Sequence, residues 1–299
     1  MGSHRYLLFF SVVALLFLPI PTAANPNITA VFAFGDSILD AGNNNRLPTI
    51  FRSNHPPYGL DFPGRVPTGR FSNGKLATDF VVSQLSLKQL LPAYLDPALT
   101  NKDLLTGATF ASAGSGLDDL TAREAGVLSL NTQLRYFQQA LQRMRRVAGR
   151  AETGRVVENA LFMVGVGTND MTYNFYGLPL RRMYSVSGYH DLLLRNLESV
   201  IWRLHSMGAR KLAVMGLPPI GCLPAQVTLG SVLPSFHMLK RVCVNQQNSD
   251  SQAYNAKLQA LISRLQTTLQ GVRIVYVDVY TPIMDMIMRP AAFGVGENS

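Results

Sequence analysis

Five short apolar, β-rich runs punctuate this chain, with helical patterns between most of them, and that alternation restricts the fold more than any other feature. The runs are Val31 to Phe34, Ala108 to Ala111, Ala160 to Val166, Lys211 to Met215 and Arg273 to Val279. They read as continuous apolar stretches, the habit of strands buried on both faces of a parallel sheet. Helical patterns cover Lys75 to Leu90, Asn131 to Ala148, Tyr189 to Met207 and Asp250 to Leu269. Strand and helix in turn predict an α/β fold, a three-layer sandwich around a central five-stranded parallel sheet. The Pro-, Gly- and Asn-rich stretch Asn43 to Gly74 reads as a long ordered loop, and Asn174 to Gly188 as another.

No repeat, charge block or Ser/Gly-rich linker divides the chain, so residues 25–299 read as one domain. Residues 1–24 read differently. A basic residue, Arg5, precedes a continuous apolar run from Tyr6 to Leu18, followed by Pro19, Pro21 and the small residues Thr22, Ala23 and Ala24. That order describes a signal peptide cleaved near Ala24 and a secreted, extracellular protein. The run falls short of the ~20 residues that span a bilayer, so no stable membrane insertion is expected. An oxidising compartment favours pairing of Cys222 with Cys243, a loop closure that contributes about 3 kcal/mol in the chain-entropy model. Zinc is disfavoured, because no second Cys or His pair stands at ligand spacing. Asn27-Ile28-Thr29 is a glycosylation sequon at Asn27.

The formal charge is +9, or +8 without Arg5. Much of the excess is Arg135, Arg143, Arg145, Arg146 and Arg150, interleaved at helical spacing with Leu134, Phe137, Leu141, Met144 and Ala148. This is the wet face of an amphipathic helix, with weak attraction to acidic surfaces as the functional alternative. No nucleic-acid motif is present. No Walker loop, dinucleotide fingerprint or metal cluster calls for a cofactor. The sequence does not fix an oligomeric state.

Sheets of this kind place chemistry in loops at the carboxyl ends of their strands, and three such ends are unusual here. The first runs from Phe34 straight into Gly35-Asp36-Ser37, as a nucleophile at a strand-to-helix turn requires; plain turn chemistry is the other reading. The second ends in Ser112-Ala113-Gly114-Ser115-Gly116, small residues that let a backbone amide approach an oxyanion or make a tight turn. The third ends in Gly167-Thr168-Asn169-Asp170, where Asn169 is either an oxyanion donor or a helix cap.

Together, in order, these motifs resemble the GDSL group of the SGNH hydrolases, and closely its plant-type secreted esterase/lipase branch. The likeness runs from about Ala30 to Ala292. It includes Asp40 to Asn44, Pro57-Tyr58-Gly59, Asp61-Phe62-Pro63, Pro67 to Lys75 and Gly216 to Pro224. The resemblance implies a flavodoxin-like SGNH-hydrolase fold and hydrolysis of a small-molecule, lipid or polymer ester without a cofactor. It makes Ser37 the nucleophile. It makes Gly114 and Asn169, with the Ser37 backbone amide, the oxyanion hole. Asp36 and Asp170 are expected to hold their turns. Ile38 stands where the family has Leu, and Thr109 where it often has Asn.

The family's last block, Asp-x-x-His, has no counterpart here, so the resemblance implies a shortened chain without the triad histidine and aspartate. Asp278 matches a position within the fifth strand. His4 falls in the leader, and His55, His190, His205 and His237 read as satisfied or exposed surface histidines, with His55 the least implausible substitute base. Without its base a serine hydrolase loses on the order of 10⁶ in turnover. The expected product is then a poor esterase with bared apolar sheet surface and a tendency to aggregate. The alternative is a secreted, non-catalytic lipid- or ester-binding protein that keeps the pocket.

Overall fold

The computed structural model describes residues 28–230 and 242–294. The proposed leader, Asn27 and His237 lie outside the described residues.

The five expected strands form one parallel sheet. β1 (Val31–Gly35), β2 (Gly107–Thr109), β3 (Leu161–Gly165), β4 (Lys211–Met215) and β5 (Arg273–Val277) lie in the order β2-β1-β3-β4-β5. Between and after them, among the described residues, come α1 (Ala77–Gln84), α2 (Asp119–Ala125), α3 (Leu130–Asn159), α4 (Val186–Ser206), α5 (Pro224–Gly230), α6 (Asn245–Thr268) and α7 (Tyr280–Met288).

Alternation along β1 explains the layering. Phe32 and Phe34 point into the larger core, stacking with Phe110, Phe137 of α3 and Phe162 of β3. Val31 and Ala33 point the other way, into a smaller core with Val82 of α1, Leu91, Met163 and Met215. A strand with apolar residues on both faces can sit only between two helical layers. α3 begins where Ser129 accepts a hydrogen bond from the Thr132 amide, and it buries Leu130, Leu134, Phe137, Leu141 and Met144.

Several boundaries differ from the sequence reading. β2 ends at Thr109, although the chain keeps bonding to β1 through Phe110 N to Ala33 O and Ser112 N to Gly35 O. α3 resumes beyond Gly149, whose positive φ interrupts it, and runs to Asn159. β5 stops at Val277 rather than Val279, because the Asp278 carboxylate accepts from the amides of Tyr280 and Thr281 and turns the chain into α7. Asp278 therefore lies just past the strand. The expected loop after Asn174 is partly helical, with a π-turn over Asp170–Gly177 and a 3₁₀ turn at Pro179–Arg181.

The strand order reverses direction at β1. Open α/β sheets bind ligands outside such a switch point, at the carboxyl ends of the strands, which here is the crevice between β1 and β3.

Candidate active site

Gly35 closes β1 with φ +137°, and a Cβ there would stand 1.9 Å from the Gly165 carbonyl oxygen. Glycine is thus required for the β1 backbone to lie this close to β3, and the chain then turns into Asp36 and Ser37. The Asp36 amide donates to Gly165 O (3.1 Å), and its carboxylate accepts from the Ile38 amide (3.2 Å). Ser37 emerges half-buried at the edge of a cleft of about 450 Å³.

Four strand ends furnish that cleft. Ser37 comes from β1, Thr168 and Asn169 from β3, Pro218 and Pro219 from β4, and Val279 from β5, with Ile283 and Ile287 of α7 facing them. The walls are chiefly apolar. Tyr173 closes one side, its ring edge-on to Phe51 with centroids 6.1 Å apart.

Asn169 is buried and lines the same cleft as Ser37. It precedes the π-turn but caps nothing; its side-chain NH₂ donates to Ser115 O at 2.8 Å. Of its two N–H bonds, one is used there, which leaves the second for the cleft. Gly114 is buried with φ +85°, packed toward Phe51 and Ala125, and is not among the residues that line the cleft. The second strand end thus reaches the site through Ser115 and Asn169.

Asp40, Asn43 and Asn44 fix the loops rather than the chemistry. The Asp40 carboxylate accepts from the amides of Gly42, Asn43 and Ala113. Asn43 donates to Thr109 O and Ala111 O, and Asn44 to Phe51 O and Ala113 O. Asp170 binds the amides of Leu117 and Asp118 and the Thr121 hydroxyl. Burial pushes the carboxyls of Asp36 and Asp170 up to about 7 and that of Asp40 to about 6. For Asp36 the Ile38 amide opposes this, while the nearby carboxyls of Asp170 and Asp40 add to it.

No histidine lines the cleft among the described residues. His55 is exposed on the long loop, its ring nitrogens against Pro56 O (2.8 Å) and Arg52 O (3.1 Å). His205 faces Gln270 O at 3.0 Å. His190 corrects the sequence reading: it is neither satisfied nor at the surface. It is buried in α4 against Tyr254, with both ring nitrogens unpartnered, because its place on the apolar stripe of α4 turns it toward α6.

Cys222 and Cys243 form the expected disulfide, and Cys222 borders the cleft. The sequence reading missed three contributors. Ile283 and Ile287 belong to a helix it did not anticipate. Gln133 of α3 is fully buried against Gly35, and its one signal in the sequence is a polar residue set in the apolar stripe between Leu130 and Phe137.

The sequence model of the family described as GDSL-like Lipase/Acylhydrolase matches residues 31–294. Among curated proteins, the chain is similar to several Arabidopsis thaliana proteins described as GDSL esterase/lipases. One is 49% identical over 300 residues, covering 99% of this chain and 83% of the relative. A second is 40% identical, covering 99% and 82%, and a third is 42% identical, covering 92% and 76%.

Proposed function

The chain belongs to the GDSL-like lipase/acylhydrolase family, whose members hydrolyse ester bonds, and from that premise we propose that Ser37 is its nucleophile toward an ester with an apolar acyl chain. The observation that carries this reading is the position of Ser37 at the sheet's switch point, on the edge of a largely apolar cleft that Asn169 also lines. In the proposed reaction, Ser37 Oγ attacks the acyl carbonyl and its proton passes to a base. The tetrahedral oxyanion would form against the Ser37 amide and the second N–H of Asn169, with the Gly114 amide as the third donor that the family resemblance implies. Collapse expels the alcohol and leaves an acyl-serine, which water then hydrolyses by the same steps. Fixed donors at the developing charge stabilise the transition state without reorganising when it forms.

The acyl chain would lie along Ile38, Pro218, Pro219, Leu223, Ile283 and Ile287. These side chains offer nothing to the hydroxyls of a carbohydrate, which favours acyl lipids over acetylated polysaccharides. Buried methylenes contribute about 0.8 kcal/mol each, so a longer chain gains affinity here.

The base is the step that the described residues do not supply. An unassisted serine is a weak nucleophile at neutral pH, and losing the base costs on the order of 10⁶ in turnover. A second reading, a protein that binds acyl esters without turning them over, rests on the same apolar cleft. Export is part of both readings, supported by the Cys222–Cys243 disulfide. No helix among the described residues is long and apolar enough to cross a membrane.

The test is hydrolysis of p-nitrophenyl acetate and laurate by the wild type and Ser37→Ala. A Ser37-dependent rate that is larger for laurate supports the proposal. Equal rates for the two proteins, together with tight binding of a fluorescent lauroyl probe, would establish the binding reading instead.

A further inference from the structure

β2 ends early, and its neighbour β1 runs on for two more residues. Where β2 would pair with Gly35, the chain has already curved into the small-residue loop, and only Ser112 N reaches back to Gly35 O (3.0 Å). The Gly35 amide, two residues before the nucleophile, would be left without a partner in the interior. A buried, unpaired backbone N–H costs about 1–3 kcal/mol.

Gln133 fills that place. Its side-chain oxygen accepts from Gly35 N at 2.9 Å, and its NH₂ donates to Gly35 O at 2.8 Å. A primary amide has the same donor and acceptor as a peptide unit, so this side chain continues the sheet where the β2 backbone has left it. The same NH₂ also approaches Ser115 Oγ and Leu128 O, both at 3.2 Å. The residue is fully buried, and each of its polar atoms is engaged. Ser115 in turn holds Asn169 through its carbonyl.

From this geometry we infer that Gln133 is a positioning residue for the nucleophile, locking the Gly35–Ser37 turn to the Ser115 loop that holds the Asn169 side chain. The inference rests on Ser37 as the reactive residue, but the connection itself does not require turnover. A side chain that only satisfied buried groups would add stability without setting the distance between the two loops. Gln133 has one face on each loop, so its loss would let them drift apart. A shift of about 1 Å at a reacting group is enough to cost on the order of 10²-fold in rate.

The experiment compares Gln133→Met, which keeps the length, and Gln133→Glu, which keeps the acceptor for Gly35 N, with Phe137→Leu. The last removes core volume one turn further along α3 and serves as a control for lost stability. Native-state hydrogen exchange is read at the amides of Ile38 and Ser115, neither of which bonds to Gln133 itself. At matched melting temperature, both amides should exchange at least tenfold faster in Gln133→Met than in Phe137→Leu. The Ser37-dependent kcat should fall 10- to 100-fold with KM within about threefold, while Phe137→Leu keeps its kcat. Gln133→Glu, if it folds better than Gln133→Met, gives the same comparison with less loss of stability. Equal exchange in the two helix variants overturns the inference. A wild type without Ser37-dependent turnover would count against the hydrolase reading alone, and the exchange result would then decide the role of Gln133.

Discussion

The Asn169 side chain donates to the carbonyl oxygen of Ser115 across 54 residues of sequence, at 2.8 Å, and so fastens the end of β3 to the loop that follows β2. Asn169 also lines the cleft that Ser37 borders, and the proposed mechanism gives its second N–H to the oxyanion. Asn169→Ala removes both the donor and the fastening. Its Ser37-dependent kcat should fall by about 10²–10³, the usual cost of one oxyanion donor. Asn169→Asp should fall as far, because a carboxylate offers no N–H to an oxyanion. Steady-state kinetics on one short-chain ester is enough to check both, and a loss below threefold would remove Asn169 from the proposed site.

The acyl wall contributed by α7 can be tested without turnover. Ile283→Asp and Ile287→Asp place a carboxylate among apolar side chains and should weaken binding of a fluorescent lauroyl probe by about tenfold or more. Binding of a butyryl analogue should change much less. Equal losses for both probes would mean that the chain does not run along α7.

Arg70 belongs to the Thr68-Gly69-Arg70-Phe71 motif, yet it reacts with nothing. Its guanidinium grips the buried Asp79 carboxylate through two bonds, at 2.8 and 3.1 Å, and also donates to Leu91 O. Asp79 accepts further from the amides of Leu76 and Leu91, tying α1 to the long loop. Removing one partner strands a buried charge, so Arg70→Met should cost about 3–5 kcal/mol of unfolding free energy. Urea titration reads this directly. A cost under 1 kcal/mol would show that Asp79 is adequately held by its backbone donors alone.

His190 gives stability a dependence on pH. Burial holds its ring down to about 4, with the Lys257 ammonium acting in the same direction and the carboxylates of Asp250 and Asp191 opposing. The unfolded chain therefore takes up a proton near pH 6.5 that the folded chain refuses until about 4. Stability due to the neutral ring is present above that window and is lost as pH falls through it. The raised carboxyls of Asp36 and Asp170 act the opposite way, which makes a variant comparison necessary. His190→Phe should melt at or above the wild-type temperature at pH 7.5, and its advantage should widen steadily down to pH 4. Parallel melting curves across that range would mean that folding does not shift the titration of His190.

The sequence carried much of the architecture. Unbroken apolar runs at Val31 to Phe34 and Leu212 to Met215 pointed to strands inside a parallel sheet. Gly35 before Asp36 and Ser37, and Asn169 after Gly167, already stood at strand ends when read in one dimension. The disulfide was likewise legible, once the apolar run Tyr6 to Leu18 was read as a leader into an oxidising compartment. Boundaries were less so: β5 ends where Asp278 captures two amides, and nothing in its apolar run announces that.

What the sequence determined by itself is local and periodic: which stretches bury both faces, where glycine must bend the chain, and which polar residues gather at strand ends. Tertiary structure decided which of those residues meet. Gln133 and Gly35 are 98 positions apart, and their pairing exists because β2 stops short and leaves an amide that α3 happens to pass. The same packing turns Asn169 from a helix cap into a donor and buries His190 without a partner. It also lays Ile283 and Ile287 along the cleft. Hydrogen bonds and cavities depend on the distance between elements, and a linear pattern fixes the face of each element but not its neighbour.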